Sequence, residues 1–418
     1  MGKIIKVLDR VFIVLIAITF IIPGFLSIDQ VFPEFTYLSF IQGLILLYNI
    51  LIKKSSLFNI IFSNKSLIAF LLFLIMGAIS SINSTNFQLS IIEFVCFFTF
   101  FLTFLNSIIL FEGEEKKIKF FVILFTSLLS VESLKVLERV YLVYDFNNPL
   151  LRSPYYAGFS SNVNVTAFSI LFKLPVLIYF YQNSAKKYIH KILASFLFLI
   201  SVSSIFILYS RAAILSLFLI ISLYTLFILL RKRQYILKPI SIILILIVSY
   251  GLNRALFVNA NSDIIARVTT YDINKSDSSI NTRLGYYYDA ISGIMEKPFI
   301  GWGIGNWKIQ SIKFAKDRIR EYQVPYHTHN DFLQMSVETG LTGGVLYLLI
   351  FVYPFYLIIK KIIKNQEFDS ISLFLLFSFI VFFIDSSFNF PRARPTSIVN
   401  ICLLLSFSFS ILKIRVNE

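Results

Sequence analysis

The chain has 418 residues, of which 57% are hydrophobic and only 15% are charged, and its formal net charge is +15. A soluble globular protein carries about 25% charged residues, so this composition excludes a soluble fold. The basic residues cluster in short segments between apolar runs, which indicates contact with anionic lipid and argues against nucleic-acid binding.

The apolar residues fall in runs of about twenty, the length that an α-helix needs to cross a hydrocarbon layer of ~30 Å. The fold class predicted from them is an all-α integral membrane protein with about twelve transmembrane helices, organised as one polytopic membrane domain over 1–418. Basic residues precede the first run as in a secretory signal, but no small-residue cleavage site follows, so we expect it to stay as an anchor. The predicted spans are 11–28, 35–52, 67–82, 89–111, 118–143, 165–182, 191–209, 212–230, 239–257, 333–359, 370–388 and 396–413.

The distribution of Lys and Arg predicts the orientation, because short basic loops are retained on the cytoplasmic side. With the N-terminus inside, the alternation of basic and non-basic loops holds for every loop pair except the turn at 389–395. An odd number of spans then precedes the long hydrophilic segment 258–332, which is predicted to lie outside as one large loop. The basic clusters assigned to the inside lie at 53–65, 116–119, 186–191, 231–238 and 360–364.

Two patterns stand out within the large loop. Apolar residues at spacings of three and four between Asn281 and Met295 predict a helix that lies against the membrane or the bundle; they are Tyr287, Ala290, Ile291 and Ile294. Pro298 ends this helix, and the glycine run 301–306 predicts a tight loop. No strand precedes the glycines, which excludes a dinucleotide fingerprint. They are expected to let the backbone pass close to helix ends, or to offer amide groups to an anion.

Histidines mark the end of the large loop. His327 and His329 stand two residues apart with Asp331 nearby, a pattern that fits either a metal site or an interfacial polar loop. The predicted outer segments hold no further His and no Cys to complete a metal site, although Asp or Glu could serve.

Arginines provide a second signal on the same predicted side. Arg211 lies between two apolar runs, where a cation either meets an anion or snorkels to the interface. Together with Arg283, Arg392 and Arg394 it suits a phosphate or diphosphate, which guanidinium groups bind with paired hydrogen bonds. Charged residues of the fifth span, at 132, 135, 138 and 139, share a helical face and either neutralise one another or line a polar cavity, and Lys173 in the sixth span fits either alternative.

An ordered set of motifs resembles the O-antigen ligase and polymerase superfamily of bacterial membrane glycosyltransferases. The strong part of the resemblance covers about 200–350, and Asn164 near the start of the sixth span resembles the Asn-rich entry of many members. The motifs are Ser210-Arg211-Ala212-Ala213; Arg283-Leu284-Gly285-Tyr286-Tyr287; Pro298-Phe299-Ile300-Gly301-Trp302-Gly303; His329-Asn330-Asp331-Phe332-Leu333-Gln334; and Glu338-Thr339-Gly340-Leu341-Thr342-Gly343.

The resemblance implies a GT-C-like helical bundle in the bacterial inner membrane with its active site on the periplasmic side. It implies transfer of a glycan from undecaprenyl diphosphate, without metal or other cofactor. His329 matches the family's essential histidine, and Arg211 and Arg283 match the arginines that hold the diphosphate. Supporting roles are expected for five further residues: His327, Asn330, Asn164, Arg392 and Arg394.

Several functions share this chemistry and differ in the acceptor. Ligation to lipid A core is favoured over polymerisation of repeat units, followed by transfer to protein hydroxyls. A lipid-linked oligosaccharide flippase or transporter is an alternative of another class. A transporter should show related halves and broken helices near the midplane, whereas here the polar residues gather in one asymmetric loop.

Overall fold

The computed structural model describes residues 2–22, 31–82, 84–112, 116–143, 154–160, 162–183, 188–256, 278–316, 324–364 and 370–414. These residues form fifteen α-helices, short 3-10 turns and, within the described ranges, no strand. The helices are α1 (Gly2–Ala17), α2 (Phe32–Leu51), α3 (Leu57–Ser63), α4 (Lys65–Ile82), α5 (Phe87–Glu112), α6 (Lys117–Val143), α7 (Val163–Asn183), α8 (Tyr188–Leu208), α9 (Arg211–Arg231), α10 (Leu237–Leu256), α11 (Ser278–Glu296), α12 (Trp307–Ala315), α13 (Asp331–Lys364), α14 (Ser370–Phe388) and α15 (Pro395–Ile414).

Eleven of the described helices are long and apolar enough to cross a membrane, all except α1, α3, α11 and α12. They coincide with eleven of the twelve predicted spans to within a few residues, apart from a five-residue extension of α13 at its C-terminal end. The chain is therefore an all-α, multi-pass membrane protein, as the hydropathy pattern predicts.

The first predicted span differs from the structure. Instead of 11–28, the helix α1 begins at Gly2, ends at Ala17 and continues only as a 3-10 turn over Ile18–Ile21. Lys3 and Lys6 delay the apolar run but do not hinder a helix, and Pro23 disfavours helical backbone at the residue before it. The remainder of the predicted span, 23–28, lies outside the described residues.

Packing divides the chain into two compact units. The first comprises Met1–Lys117, Asn274–Ile363 and Ser386–Glu418, and the second comprises Ile118–Ile273 and Lys364–Asp385. In the first unit α5 is the central helix, with α15, α4 and α2 packed around it. Its core is aromatic. Phe70 packs edge to face against Phe100 with 4.9 Å between ring centroids, and the ring centroids of Phe73 and Tyr347 are 5.4 Å apart.

The second unit is built around α8, which packs against α7 and α10. It buries an ion pair between Glu132 of α6 and Lys173 of α7, 3.0 Å apart, and the Ser169 hydroxyl donates to Glu132 at 2.9 Å. Of the charges predicted to neutralise one another along α6, Lys135 pairs with Glu138 at 2.6 Å at the surface. The buried carboxylate of Glu132 is neutralised by Lys173 of the neighbouring helix.

Candidate active site

The histidine loop, defined as residues 324–330, runs directly into the first turn of α13. His329 has φ +56°, a left-handed backbone that few residues other than glycine adopt and that histidine tolerates better than most. The side chain of Asn330 accepts a hydrogen bond from the Leu333 amide at 3.0 Å and thereby caps α13. The Thr328 hydroxyl lies 2.7 Å from the Asn330 carbonyl, to which it donates. Asn330, carried from the sequence as a supporting residue, thus fixes the backbone beside His329.

The half-buried ring of His329 lies among aromatic side chains. It stacks on Tyr286 of α11 with 5.9 Å between ring centroids, and Phe390 meets it edge on at 5.2 Å. The Tyr287 hydroxyl lies 3.1 Å from the His329 carbonyl and 2.6 Å from the Ser387 carbonyl and donates to these two oxygens. Ring and backbone of His329 are therefore both held by the helix predicted at 281–295.

Electrostatics keeps the His329 imidazole neutral. Burial lowers its pKa most and the positive charge of Arg283 lowers it as well, whereas a hydrogen bond to the Phe388 backbone raises it; the resulting pKa is about 4. The buried Nδ1 atom has no hydrogen-bond partner among the described residues, so we assign the bond to Nε2, which donates to the Phe388 carbonyl. Nδ1 then carries the lone pair.

The second histidine occupies a different environment. His327 stacks on Phe390 with 4.3 Å between centroids, and burial lowers its pKa well below the ordinary value. The charges of Arg392 and, to a smaller extent, Arg394 lower that pKa as well, whereas a hydrogen bond with Gln334 raises it. Phe390 therefore separates two neutral imidazoles and contacts each of them.

Arg392 and Arg394, which both act electrostatically on His327, have different partners. The buried Arg392 forms a salt bridge with Glu93 of α5 and lies 3.5 Å from Asp331, and the Asp331 carboxylate also accepts its backbone amide at 3.1 Å. Arg394 lies over the Phe390 ring at 5.6 Å and interacts electrostatically with Glu34. Arg392 is therefore satisfied by carboxylates of the protein.

Arg283 is the predicted diphosphate-binding arginine whose charge acts on His329. It lies on α11 one turn before the tyrosines that hold His329 and is half-buried. Its charge lowers the pKa of His329, and it also opposes the effect of burial on the pKa of Tyr287. The structure thus brings Arg283 and His329 together.

The glycine loop, residues 297–306, docks onto a break in α13. At Gly340 the helix has φ +77° and ψ +169°, so carbonyls in the preceding turn lose their helical partners. The amides of Trp302 and Gly303 donate to the carbonyls of Val337 and Glu338 at 3.0 and 2.9 Å. A Cβ atom on Gly340 would lie 2.2 Å from the Phe299 carbonyl oxygen. The glycines allow the close backbone approach that the sequence predicts.

The backbone amides at the end of the glycine loop donate hydrogen bonds to a carboxylate of the protein itself, that of Glu338 in α13. The buried Glu338 carboxylate accepts the Gly305 amide at 2.8 Å and the Trp307 amide at 3.3 Å. Gln334 donates to the same carboxylate at 3.0 Å, and its own oxygen accepts the Thr328 amide at 3.2 Å. Glu338 thus connects the glycine loop to the histidine loop. Its place in the Glu338-Thr339-Gly340 motif, just before the helix break, is the sequence signal for this role.

Two further predicted residues belong to the second unit. Arg211 opens α9 after a two-residue turn in which Tyr209 is left-handed, with φ +54°, and Ser210 is extended. Asn164 lies in the first turn of α7, where its backbone N–H donates to the side-chain oxygen of Asn162 at 2.9 Å. Both residues therefore stand at the entrance of a membrane-spanning helix.

Among the described residues, the histidine pair has no third His, Cys, Asp or Glu placed with it to hold a metal ion. Over the described part of the chain, no group of three or more His, Cys, Asp or Glu side chains is placed to hold one. Asp331, the third residue of the sequence pattern, instead pairs with Arg392.

Comparison with known proteins matches residues 196–348 to a family model described as O-antigen ligase. A protein of Rickettsia conorii described as a candidate polysaccharide ligase is 31% identical over 96 residues, which is 22% of each chain. The exopolysaccharide production protein ExoQ of Rhizobium meliloti is 25% identical over 143 residues, 28% of this chain and 33% of ExoQ. An uncharacterized protein of Haemophilus influenzae is 25% identical over 146 residues, 31% of this chain and 35% of that protein.

These alignments span about a third or less of the length of each relative. The family match nevertheless includes the motifs at Arg211, Arg283, His329 and Glu338, and it confirms the resemblance that those motifs predict. Over residues 196–348, the chain is therefore similar to the O-antigen ligase superfamily of membrane polysaccharide ligases and polymerases.

Proposed function

We propose that this protein transfers a glycan from undecaprenyl diphosphate to an acceptor hydroxyl, with lipid A core as the favoured acceptor, on the periplasmic face of the bacterial inner membrane. The observation that carries the proposal is the neutral imidazole of His329, held between Tyr286 and Phe390 and influenced by the charge of Arg283. A neutral imidazole beside a guanidinium suits a reaction that removes a proton and releases an anion.

His329 is the proposed general base. As the acceptor oxygen attacks the anomeric carbon, the imidazole of His329 takes the hydroxyl proton, the new glycosidic bond forms and the bond to the diphosphate oxygen breaks. A single displacement of this kind inverts the anomeric centre. The resting pKa of about 4 makes the imidazole a weak base, but a diphosphate bound beside Arg283 offsets the guanidinium charge and raises the pKa of His329.

Arg283 and Arg211 are the proposed diphosphate-binding residues. The assignment of Arg283 is supported by its electrostatic influence on His329, and that of Arg211 by its motif at the start of α9. Guanidinium groups fixed in advance stabilise the charge that develops on the departing diphosphate, particularly where water is scarce. The proposed reaction accordingly uses no divalent metal. Arg392 and Arg394 act as supporting residues, Arg392 through Asp331 and Glu93.

Polymerisation of lipid-linked repeat units is the second proposed function. The likeness to the exopolysaccharide production protein ExoQ favours it, since the same base and the same leaving group serve when the acceptor is another glycan. Transfer to protein hydroxyls ranks third. A flippase or transporter has less support, because it would not require a neutral imidazole beside an arginine in one loop.

Transfer by the purified full-length protein is the decisive experiment. In detergent with EDTA, undecaprenyl diphosphate glycan and lipid A core should yield ligated product, whereas chain growth with donor alone would identify a polymerase. The protein carrying His329→Ala serves as the matched control for acceptor-independent hydrolysis. No product under either condition, with folded protein, would contradict ligation and polymerisation and would favour transfer to protein hydroxyls or the transporter alternative.

A further inference from the structure

Helix α11 has two different faces. One face packs inward and holds the candidate site: Tyr286 stacks on His329, Tyr287 bonds the backbone of the histidine loop, and Ala290 belongs to a core with Trp302 and Val337. The sequence pattern predicts this inner face from Tyr287, Ala290, Ile291 and Ile294. Ile291 is the exception, since its side chain is exposed.

The outward face of α11 is apolar and exposed. Leu284, Tyr288, Ile291 and Met295 follow one another at spacings of four, three and four, so at 3.6 residues per turn they lie within about 60° of each other. Their exposed fractions are 55%, 66%, 47% and 77%, and Phe299 just beyond the helix is 79% exposed. These five residues are called the α11 stripe below.

Exposing such a row of large apolar side chains to water is unfavourable in free energy. Single exposed apolar residues are common on protein surfaces, but a contiguous row of large ones marks an interaction site. A helix of mixed composition with one apolar side suits the membrane interface, where that side enters the acyl region and the other faces polar groups. Consistent with this, α11 is not among the described helices that are apolar enough to cross the membrane.

Hydrogen bonds place α11 at the depth where spanning helices end. The Tyr287 hydroxyl lies 2.6 Å from the carbonyl of Ser387, one residue before the last residue of α14. It lies 3.1 Å from the carbonyl of His329, two residues before α13 begins. A helix bonded to the ends of two membrane-spanning helices lies level with the bilayer surface.

Two lysines near the stripe fit a lipid head-group layer. The amines of Lys297 and Lys313 lie 4.0 and 4.6 Å from the centre of the ring of Trp302, which itself is buried in the core. Lysines at the membrane surface attract anionic lipid. Lys313 is also paired with Glu296, on the polar side of α11.

We propose that α11 is an interfacial helix, with the α11 stripe embedded among the acyl chains of the bilayer and Lys297 and Lys313 among the phosphate head groups. Membrane lipid is thus the partner of this surface. Since the inner face of α11 holds His329, insertion of the stripe fixes the depth of that histidine relative to the lipid. The inference rests on the membrane fold and does not depend on the proposed transferase activity.

Site-specific fluorescence in lipid nanodiscs tests the proposal. Cys96 and Cys402, the only cysteines, are replaced by alanine, and single cysteines are introduced by Tyr288→Cys or Met295→Cys in the stripe. Glu296→Cys, one residue away on the polar side, is the matched control. Each variant is labelled with an environment-sensitive nitrobenzoxadiazole probe in nanodiscs of phosphatidylethanolamine and phosphatidylglycerol, after size-exclusion chromatography has verified folding.

Labels in the stripe should emit at shorter wavelength than the control and should be quenched by lipids that carry a doxyl group near the head of the acyl chain. The control label should be quenched by aqueous iodide instead. Equal quenching of all three labels by iodide would overturn the proposal. Protection from both quenchers, with disulfide-linked dimers of Met295→Cys, would also overturn it, because a second copy of the chain would then cover the stripe. The labels at 288 and 295 check each other if one substitution disturbs the helix.

Discussion

His327 and His329 are separated by one residue, yet their rings have different partners. His327 stacks on Phe390 and His329 on Tyr286, and among the described residues the Nδ1 atom of each ring lacks a hydrogen-bond partner. We expect His329→Ala to lower the transfer rate by about 10²–10⁴-fold, the usual contribution of a general base. Donor binding by this variant, measured with labelled undecaprenyl diphosphate glycan, should remain close to that of the unmodified protein.

His327→Ala is the matched comparison for that prediction. It removes a stacking contact but no proposed proton acceptor, so its rate loss should be much smaller and should come with a lower melting temperature. Equal rate losses in the two folded variants would show that His329 is not the base.

The pH dependence of transfer should reflect the environment of His329. Its pKa of about 4 lies below the ordinary value because of burial and the Arg283 charge, so the free enzyme keeps a neutral base well below pH 6.5. The value of kcat/KM should therefore fall only as pH decreases toward about 4. In Arg283→Gln, loss of the positive charge raises the pKa of His329 and should move this acid limb to higher pH.

Arg394→Gln is the control for that shift. Arg394 lowers the pKa of His327 but does not contribute to that of His329, so the acid limb should stay in place. An acid limb that moves equally in the two variants would mean that a different group titrates, whatever the change in overall rate.

The structure brings some of the predicted site residues together, while their roles stay predictions. His329 and Arg283 were singled out because the ordered set of motifs is specific, although each motif alone is weak. Arg392 was grouped with the diphosphate arginines because its partner Glu93 is 299 residues away in the chain, beyond the reach of any local pattern. The role of Glu338 could not be predicted beyond its place in a motif. It depends on backbone amides that lie more than thirty residues earlier in the chain.

The break in α13 is a feature of the element. Gly340 has φ +77°, and an added Cβ would meet the Phe299 carbonyl at 2.2 Å. Forcing a residue other than glycine into such a conformation costs on the order of 1–3 kcal/mol, and the clash adds to this. We expect Gly340→Ala to lower the melting temperature in detergent and to displace the glycine loop, with loss of transfer activity.

Gly43→Ala in α2 is the matched glycine control. It is a helical glycine with no atom within 4 Å of an added Cβ, so alanine should leave stability unchanged or raise it by up to about 1 kcal/mol. If Gly340→Ala melted at the same temperature as Gly43→Ala, the docking of the glycine loop on the break would not contribute to stability.

Helix prediction succeeded where hydropathy alone determines the element. Eleven spans were recovered because about twenty consecutive apolar residues permit little else in a membrane. The helices α3 and α12, of seven and nine residues, were missed because they are too short to give a clear hydropathy or periodicity signal. The first helix was placed too late because hydropathy marks where apolar residues begin, whereas α1 also includes the basic residues before them.

At the scale of the whole molecule, the clustering of Lys and Arg in alternate loops predicts on which side of the membrane the candidate site lies. Helix α13 runs from the histidine loop at Asp331 to the basic cluster at 360–364, so its two ends face opposite sides. Basic loops are retained in the cytoplasm, so we expect His329 to lie on the periplasmic side. The test uses the cysteine-free chain with Lys360→Cys at one end of the bundle and Glu296→Cys on α11 near the other, both exposed.

In spheroplasts, a membrane-impermeant maleimide should label Glu296→Cys directly and Lys360→Cys only after permeabilisation. The physical reason is that moving several lysines and arginines across the membrane against its potential is unfavourable, at about 2.3 kcal/mol per charge per 100 mV. The reverse labelling pattern would place the candidate site in the cytoplasm. There His329 could not meet a donor on the periplasmic leaflet, and the proposed transfer would have to be abandoned even if the fold and the family were unchanged.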